Sequence, residues 1–174
     1  MALKGFSTEW VLPIVLQNLD GVSASGDFEA QLGKEFNKIV STFLPAYPPN
    51  SFNSIAKNSN IVVFNSMEQY SRYSDLVYQN NDSCGIRINP EYSELTDDFG
   101  TNPCRSFSHL EIKVYDMPPI VFLGSDKIED IHLHTMCGQN ADTLERTIYN
   151  LVQKYETIFP PFCITCSEPS YSPS

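Results

Sequence analysis

The sequence predicts a single α+β domain: a mainly antiparallel sheet flanked by helices, with a long amphipathic helix near the C-terminus. Three observations predict it. Strand-like segments gather between residues 60 and 136. Two of them are joined by Gly124-Ser125-Asp126-Lys127, which has the chemistry of a tight turn. Residues 25–43 and 140–159 carry apolar side chains at spacings of three and four, the helical period. The domain is expected over 1–162, followed by a polar tail over 163–174.

Each element has its own grounds. Residues 7–20, "STEWVLPIVLQNLD", are mostly apolar and begin at Ser7, a capping candidate. Pro13 either kinks this helix or marks its true start near Leu12, and Gly21 is a natural stop. A second helix is expected over 25–43, with Phe28, Leu32, Phe36, Ile39, Val40 and Phe43 on one stripe. Pro45, Pro48 and Pro49 break it. "NIVVFNS", 60–66, reads as a buried strand, and 66–79 as a helix with Tyr70, Tyr73 and Val77 on one side. A turn at 81–85 leads into a candidate strand at 85–90. Residues 91–105 read as an acidic, exposed loop.

Residues 106–116 alternate, with Leu110, Ile112 and Val114 facing one way and Glu111 and Lys113 the other. "PPIVFLG", 118–124, and "IEDIHLHTM", 128–136, should form an antiparallel hairpin. The best helix follows. Asn140 or Asp142 caps it, and Leu144, Ile148, Leu151, Val152 and Tyr155 form its apolar stripe until Pro160 and Pro161 end it.

Composition narrows the function. The 174 residues are 41% hydrophobic and 18% charged, a globular balance. The formal charge is 11 − 21 = −10. A protein that coats duplex nucleic acid needs clustered Lys and Arg, and an anionic membrane surface attracts the same groups, so both are disfavoured as partners. No run approaches the roughly 18 apolar residues of a membrane span, and the N-terminus has no long apolar core of a secretory signal. Five cysteines, Cys84, Cys104, Cys137, Cys163 and Cys166, read as reduced thiols rather than a disulfide framework.

The candidate chemistry is sparse. His132 and His134 stand at i, i+2 on a strand and share a face, so with Cys137, Cys163 and Cys166 they could hold a metal. They also alternate with Ile131 and Leu133, as a strand with one wet face does. Cys163-Ile-Thr-Cys166 follows a helix end, whereas a redox pair wants its first thiolate at a helix N-terminus. His109 lacks the His-x-Thr partner motif of two-histidine phosphoesterases. Asp97-Asp98 and Glu129-Asp130 read as solvated acidic pairs. No G-x-S-x-G, Gly-rich phosphate loop or H-E-x-x-H occurs. No catalytic residue, cofactor or metal is therefore assigned.

The hairpin strand followed by Asn140-Ala-Asp-Thr-Leu-Glu and its helix, over about 118–159, resembles the end of phage tail-terminator and neck-completion proteins. That resemblance implies a structural protein of the virion, assembled in the host cytoplasm, rather than an enzyme. It implies a homo-oligomeric ring, commonly a hexamer, that ends the tail tube and meets other tail or neck proteins. An acidic ring would let DNA pass as cargo without holding it. The alternative is a small cytosolic enzyme or regulatory domain with a site near His132, His134 and Cys137.

Overall fold

The computed structural model describes residues 1–95, 102, 104, 108, 110–116, 128–136, 139–155 and 163–166. The chain divides into two compact units, Met1–Gly85 and Ile86–Ser174.

The first unit alternates helices and strands. They are α1 (Leu12–Leu16), β1 (Gly21–Ala24), α2 (Asp27–Glu35), β2 (Ile39–Phe43), α3 (Pro49–Lys57), β3 (Ile61–Phe64), α4 (Met67–Gln79) and β4 (Ser83–Arg87), whose last two residues open the second unit. β1 pairs with β2 in parallel, Val22 opposite Val40, and β2 pairs with β3 in parallel, Thr42 opposite Val62. Residues 1–3 extend the ladder: Ala2 bridges Ser23 in parallel and the Leu3 N–H donates to the Ser23 carbonyl at 2.9 Å.

This is a wound α/β arrangement, not the antiparallel α+β sheet that the sequence suggests. A parallel pair needs a crossover, and here the crossovers are helices. β3 shows the signature: Val62, Val63 and Phe64 are all fully buried in succession, which a strand covered on both faces requires and a half-wet antiparallel strand does not.

The differences along the chain have local causes. The helix expected over 25–43 is α2 followed by β2. Asn37, with φ 53°, turns the chain out of the helix, and the β-branched Ile39-Val40 begins a strand. Phe28 and Ile39, expected on the apolar stripe, are exposed; α2 instead seats Ala30 and Gly33 on the sheet. The prolines read as a break start a helix, because Pro49 occupies the first turn of α3, where a missing N–H costs nothing. Pro13 does the same for α1, which is shorter than residues 7–20 suggested. The helix expected at 66–79 is α4, capped by Ser66, whose Oγ accepts from the Gln69 N–H.

Two apolar clusters hold this unit. One gathers Leu3, Leu12, Leu16, Val22, Ala24, Ala30 and Val40. The other gathers Phe52, Ile55, Val62, Phe64 and Val77 around Tyr47, whose ring meets Phe52 edge-on at 5.2 Å and whose hydroxyl donates to the Val63 carbonyl at 2.7 Å. Gly33 sets how closely α2 approaches: a Cβ there would lie 2.6 Å from Val22 Cγ2 and 3.0 Å from Val40 Cγ2. Gly33→Val is therefore expected to cost about 1–3 kcal/mol through overpacking. Urea unfolding checks it, and a variant as stable as the parent would show that α2 stands further from the sheet.

The second unit continues from β4 to an isolated parallel bridge, Ile88 with Ile112, then a 3-10 turn at Val114–Asp116, β5 (Ile128–Leu133), α5 (Ala141–Tyr155) and β6 (Cys163–Cys166). β5 and β6 run parallel, Ile131 opposite Ile164, with α5 as their crossover. The expected hairpin partner at 118–124 lies outside the described residues; β5, the other half, is a parallel strand. Of the strand expected over 106–116, the described part keeps only the Ile112 bridge. Glu111, at φ 83°, breaks the pleat, so Glu111 is buried and Leu110 exposed, the reverse of the expected facing. α5 buries Thr143, Thr147 and Leu151, while Val152, expected on its stripe, is exposed.

Candidate functional site

In wound α/β sheets ligands bind beyond the carboxyl ends of the strands, where loops and helix N-termini gather. In the first unit, Lys4 follows the Leu3 end of the first ladder segment, and Asn65 follows β3. Lys4 is exposed. Asn65 is nearly buried, and its backbone N–H donates to Gln69 Oε1 at 3.0 Å. Gln69 Nε2 in turn donates to the Pro45 carbonyl beyond β2 at 2.8 Å. These bonds fix the β2 and β3 ends without drawing on the strand ladders.

The second unit holds a denser set. Arg87 ends β4 and is buried, and its Nε and a terminal nitrogen both donate to Glu111 Oε1, at 3.0 and 2.9 Å. Glu111 also accepts from the backbone N–H of His134, just past β5. Burial pushes the Glu111 carboxyl up to about 7, against the opposing pull of Arg87. Backbone bonds run alongside: Ile88 N–H to the His132 carbonyl, Ile112 N–H to the Arg87 carbonyl, and Asn89 N–H to the Ile112 carbonyl. Asn89, almost fully buried, accepts from the Glu91 N–H at 2.8 Å.

His132 is buried, His134 half-buried, and their rings stack at 5.8 Å with 13° between planes. Thr135, next along the chain, is 1% exposed, and its Oγ1 has no hydrogen-bond partner among the described residues. A buried hydroxyl in that state is costly unless something meets it.

The segment after Asn89, read from sequence as an exposed acidic loop, is tied at its start to α5. Arg146 grips both oxygens of Glu94, at 2.6 and 2.8 Å, and the Tyr92 hydroxyl and Thr143 Oγ1 also donate to that carboxylate. Those donors, Arg146 foremost, hold the Glu94 carboxyl down to about 2. Lys154 meets Glu91. Cys104 Sγ lies 3.3 Å from the Tyr92 carbonyl, and burial, with Glu111 charge nearby, pushes the thiol up to about 12, so it is no nucleophile near neutral pH.

Of the residues weighed from sequence for metal or redox chemistry, the structure brings His132 and His134 together as a stacked pair. It places Cys163 and Cys166 on β6, opposite Asp130 and Leu133. Cys137, His109 and Asp97-Asp98 lie outside the described residues. Among those described, no group of three or more His, Cys, Asp or Glu side chains could hold a metal ion. Sequence reading made no site of Arg87 or Glu111. Their signal was a single charge inside each of two apolar runs, Ile86-Arg-Ile and Leu110-Glu-Ile.

Comparison with known proteins gives this geometry a context. No family model matches the chain. It is 33% identical over 156 residues to the carboxynorspermidine/carboxyspermidine decarboxylase of Campylobacter jejuni, covering 89% of the chain and 39% of that protein. It is 32% identical over 161 residues to the carboxyaminopropylagmatine decarboxylase of Synechocystis, covering 92% of the chain and 41% of that protein. The crystal structure of C. jejuni carboxynorspermidine decarboxylase complexed with norspermidine superposes with a TM-score of 0.72 at 31% identity, over 90% of the chain and 39% of that structure. Helicobacter pylori diaminopimelate decarboxylase superposes at 0.68 with 14% identity, a likeness of fold. The chain thus spans about two fifths of the length of these relatives.

These homologues overturn the tail-terminator resemblance, and with it the structural, non-enzyme reading, the hexameric ring, the tail and neck partners, the DNA cargo and the virion location. The resemblance rested on a strand, a polar cap and an amphipathic helix. Any βα unit of a wound sheet supplies those three features, so they discriminate nothing. The alternative reading, an enzyme, stands closer. The chain's homologues are carboxynorspermidine/carboxyspermidine decarboxylases, and its fold is the α/β barrel-like fold of those decarboxylases.

Proposed function

We propose that the polypeptide carrying this chain decarboxylates a carboxylated polyamine, of the carboxynorspermidine or carboxyspermidine kind. The observation that carries this reading is the 33% identity sustained over 156 residues with the C. jejuni enzyme. The charge balance supports it. A chain of net charge −10 attracts a polycationic substrate and its polyamine product, and the same charge had argued against nucleic acid. Near-equal identity to the Synechocystis enzyme keeps carboxyaminopropylagmatine as a second candidate substrate.

Decarboxylases of this family depend on pyridoxal phosphate. When bound, that group supplies a sink for the electron pair left behind as CO2 departs. A resident lysine amine must hold it, at the carboxyl end of a strand. Lys34 and Lys57 lie on helices, Lys38 precedes β2, Lys154 sits on α5, and Lys127 lies outside the described residues. Lys113 follows the Ile112 bridge, but its ammonium lies over the Tyr115 ring at 5.7 Å. Lys4 is exposed, one residue beyond the parallel segment that ends at Leu3. The chain therefore fits the group, and Lys4 would hold it through its ε-amine.

The test is CO2 release from each of the three carboxylated substrates, with Lys4→Ala beside the parent. The parent is expected to release CO2 from at least one of them and to show the visible absorbance of protein-bound pyridoxal phosphate. The variant is expected to lose both while keeping its fold by circular dichroism. A Lys4→Ala protein that keeps absorbance and turnover would move the assignment to another lysine.

A further inference from the structure

A residue with a backbone φ of 83° is in a region that non-glycine residues rarely adopt, and the surroundings must hold it there. At Glu111 they do so in three directions. Arg87 at the end of β4 grips one oxygen with two nitrogens, the backbone N–H of His134 past β5 donates to the same carboxylate, and the next residue, Ile112, is pinned to Arg87 and Asn89 by backbone bonds. The Glu111 side chain is 0% exposed and that of Arg87 3%. Placing one carboxylate between two neighbouring strand ends, inside the protein, fixes their separation and the direction in which the chain leaves β5. What leaves β5 there is His134 and Thr135, and Thr135 brings a buried hydroxyl with no partner among the described residues.

We propose that Glu111 is a positioning residue. It clamps the carboxyl end of β5 to that of β4 and so sets the placement of His134 and Thr135 for a ligand bound beyond these strand ends. A surface acid would not need the strained backbone, and a merely structural ion pair would not need to reach the His134 amide. The clamp acts through the backbone, so it requires an acceptor oxygen at Glu111 and not specifically a charge. That separates it from the ion pair as such. Arg87 and the His134 amide bond to it, and its charge bears on Cys104.

The role in turnover rests on the decarboxylase reading; the clamp does not, and the experiment separates them. Glu111→Ala and Glu111→Gln are compared with the parent: both meet the same backbone strain as Glu and both remove the charge opposite Arg87, but only Gln keeps an acceptor oxygen. Amide hydrogen exchange at His134 is read by mass spectrometry or NMR on protein whose fold is checked by circular dichroism. Loss of one buried hydrogen bond predicts exchange about tenfold faster in Glu111→Ala, with Glu111→Gln close to the parent. In the same proteins, Glu111→Ala is expected to lower kcat/KM for the carboxylated polyamine by about 10- to 100-fold through misplacement, rescued largely by Gln. Unchanged His134 exchange in Glu111→Ala overturns the clamp whether or not the protein decarboxylates anything. Faster exchange with unchanged kcat/KM in an active enzyme overturns the positioning role. If Glu111→Ala fails to fold, Glu111→Gln alone decides: exchange and kinetics both altered, as in loss of charge, would overturn the claim that an acceptor suffices.

Discussion

Arg87→Met is expected to destabilise the protein by about 3–5 kcal/mol, the cost of leaving Glu111 as an uncompensated charge in the interior. Urea denaturation measures it. The loss should be largest at high pH, where Glu111 is ionised, and smaller at low pH, where the carboxyl takes up a proton and needs no cation. A double variant, Arg87→Met with Glu111→Leu, should recover most of the loss, because an apolar pair of similar bulk does not carry the desolvation cost. The two changes are coupled, so the double variant should be clearly more stable than the sum of the two single losses. A Glu111 that titrates only from about 7 gives this a sign. Its folded-state pKa lies above the ordinary carboxylate value of 4.5. The stability it contributes is fully present below about 4.5 and is lost as pH rises through about 7. Glu111→Gln cannot titrate, so it should gain on the parent across that window. A parent-to-Gln difference that stays flat with pH would show that Arg87 keeps the carboxyl ionised throughout.

Phe52→Ala is the second large effect, expected to cost about 3–5 kcal/mol in the first unit. Phe52 is 1% exposed on α3 and stacks on Tyr73 at 4.1 Å, while Tyr47 meets it edge-on. Removing the ring empties the centre of a cluster whose other walls, Val62 and Phe64, are held in the sheet and cannot collapse to fill it. Phe52→Leu, which keeps most of the volume, should lose far less. Equal losses in the two variants would mean that the ring stack, and not the filled volume, stabilises the cluster. Thermal unfolding followed by circular dichroism distinguishes the two.

Some of this was legible in the sequence. β3, α4 and α5 were read close to their bounds, because a strong apolar period, a Ser cap and a Pro stop agree with one another there. The winding of the sheet was not legible. β1 is four residues long, Gly21–Ala24, and carries two small side chains, so it leaves almost no periodic trace. α2 and β2 merged into one expected helix because Phe28, Phe36 and Ile39 happen to keep helical spacing. The real boundary is at Asn37, where a left-handed backbone turns the chain. Without those short elements the helix crossovers vanish from view, and strands that are parallel look like the halves of a hairpin. α3 was hidden by prolines that start helices as readily as they end them.

The candidate site was less legible still. His132 and His134 drew attention because histidine and cysteine suggest metal. The groups with the most constrained chemistry are Arg87, which sequence reading left within a candidate strand at 85–90, and Glu111, which it set with Lys113 opposite the apolar face. A charge within an apolar strand segment can face water or a buried partner, and periodicity alone cannot choose. Only the backbone at Glu111, which inverts the facing of Leu110 and Glu111, decides it. Lys4 was passed over for a different reason: the ladder it follows exists only through its parallel bridge to Ser23, a contact between distant residues.

We propose that this chain is part of a polyamine-forming decarboxylase. The most direct measurement is CO2 release from carboxynorspermidine and carboxyspermidine by the purified polypeptide supplied with pyridoxal phosphate, followed together with polyamine product. CO2 and norspermidine or spermidine are expected in equal amounts, and both are expected to be lost in Lys4→Ala. Folded protein that binds the cofactor but releases no CO2 from these substrates or from carboxyaminopropylagmatine would contradict it.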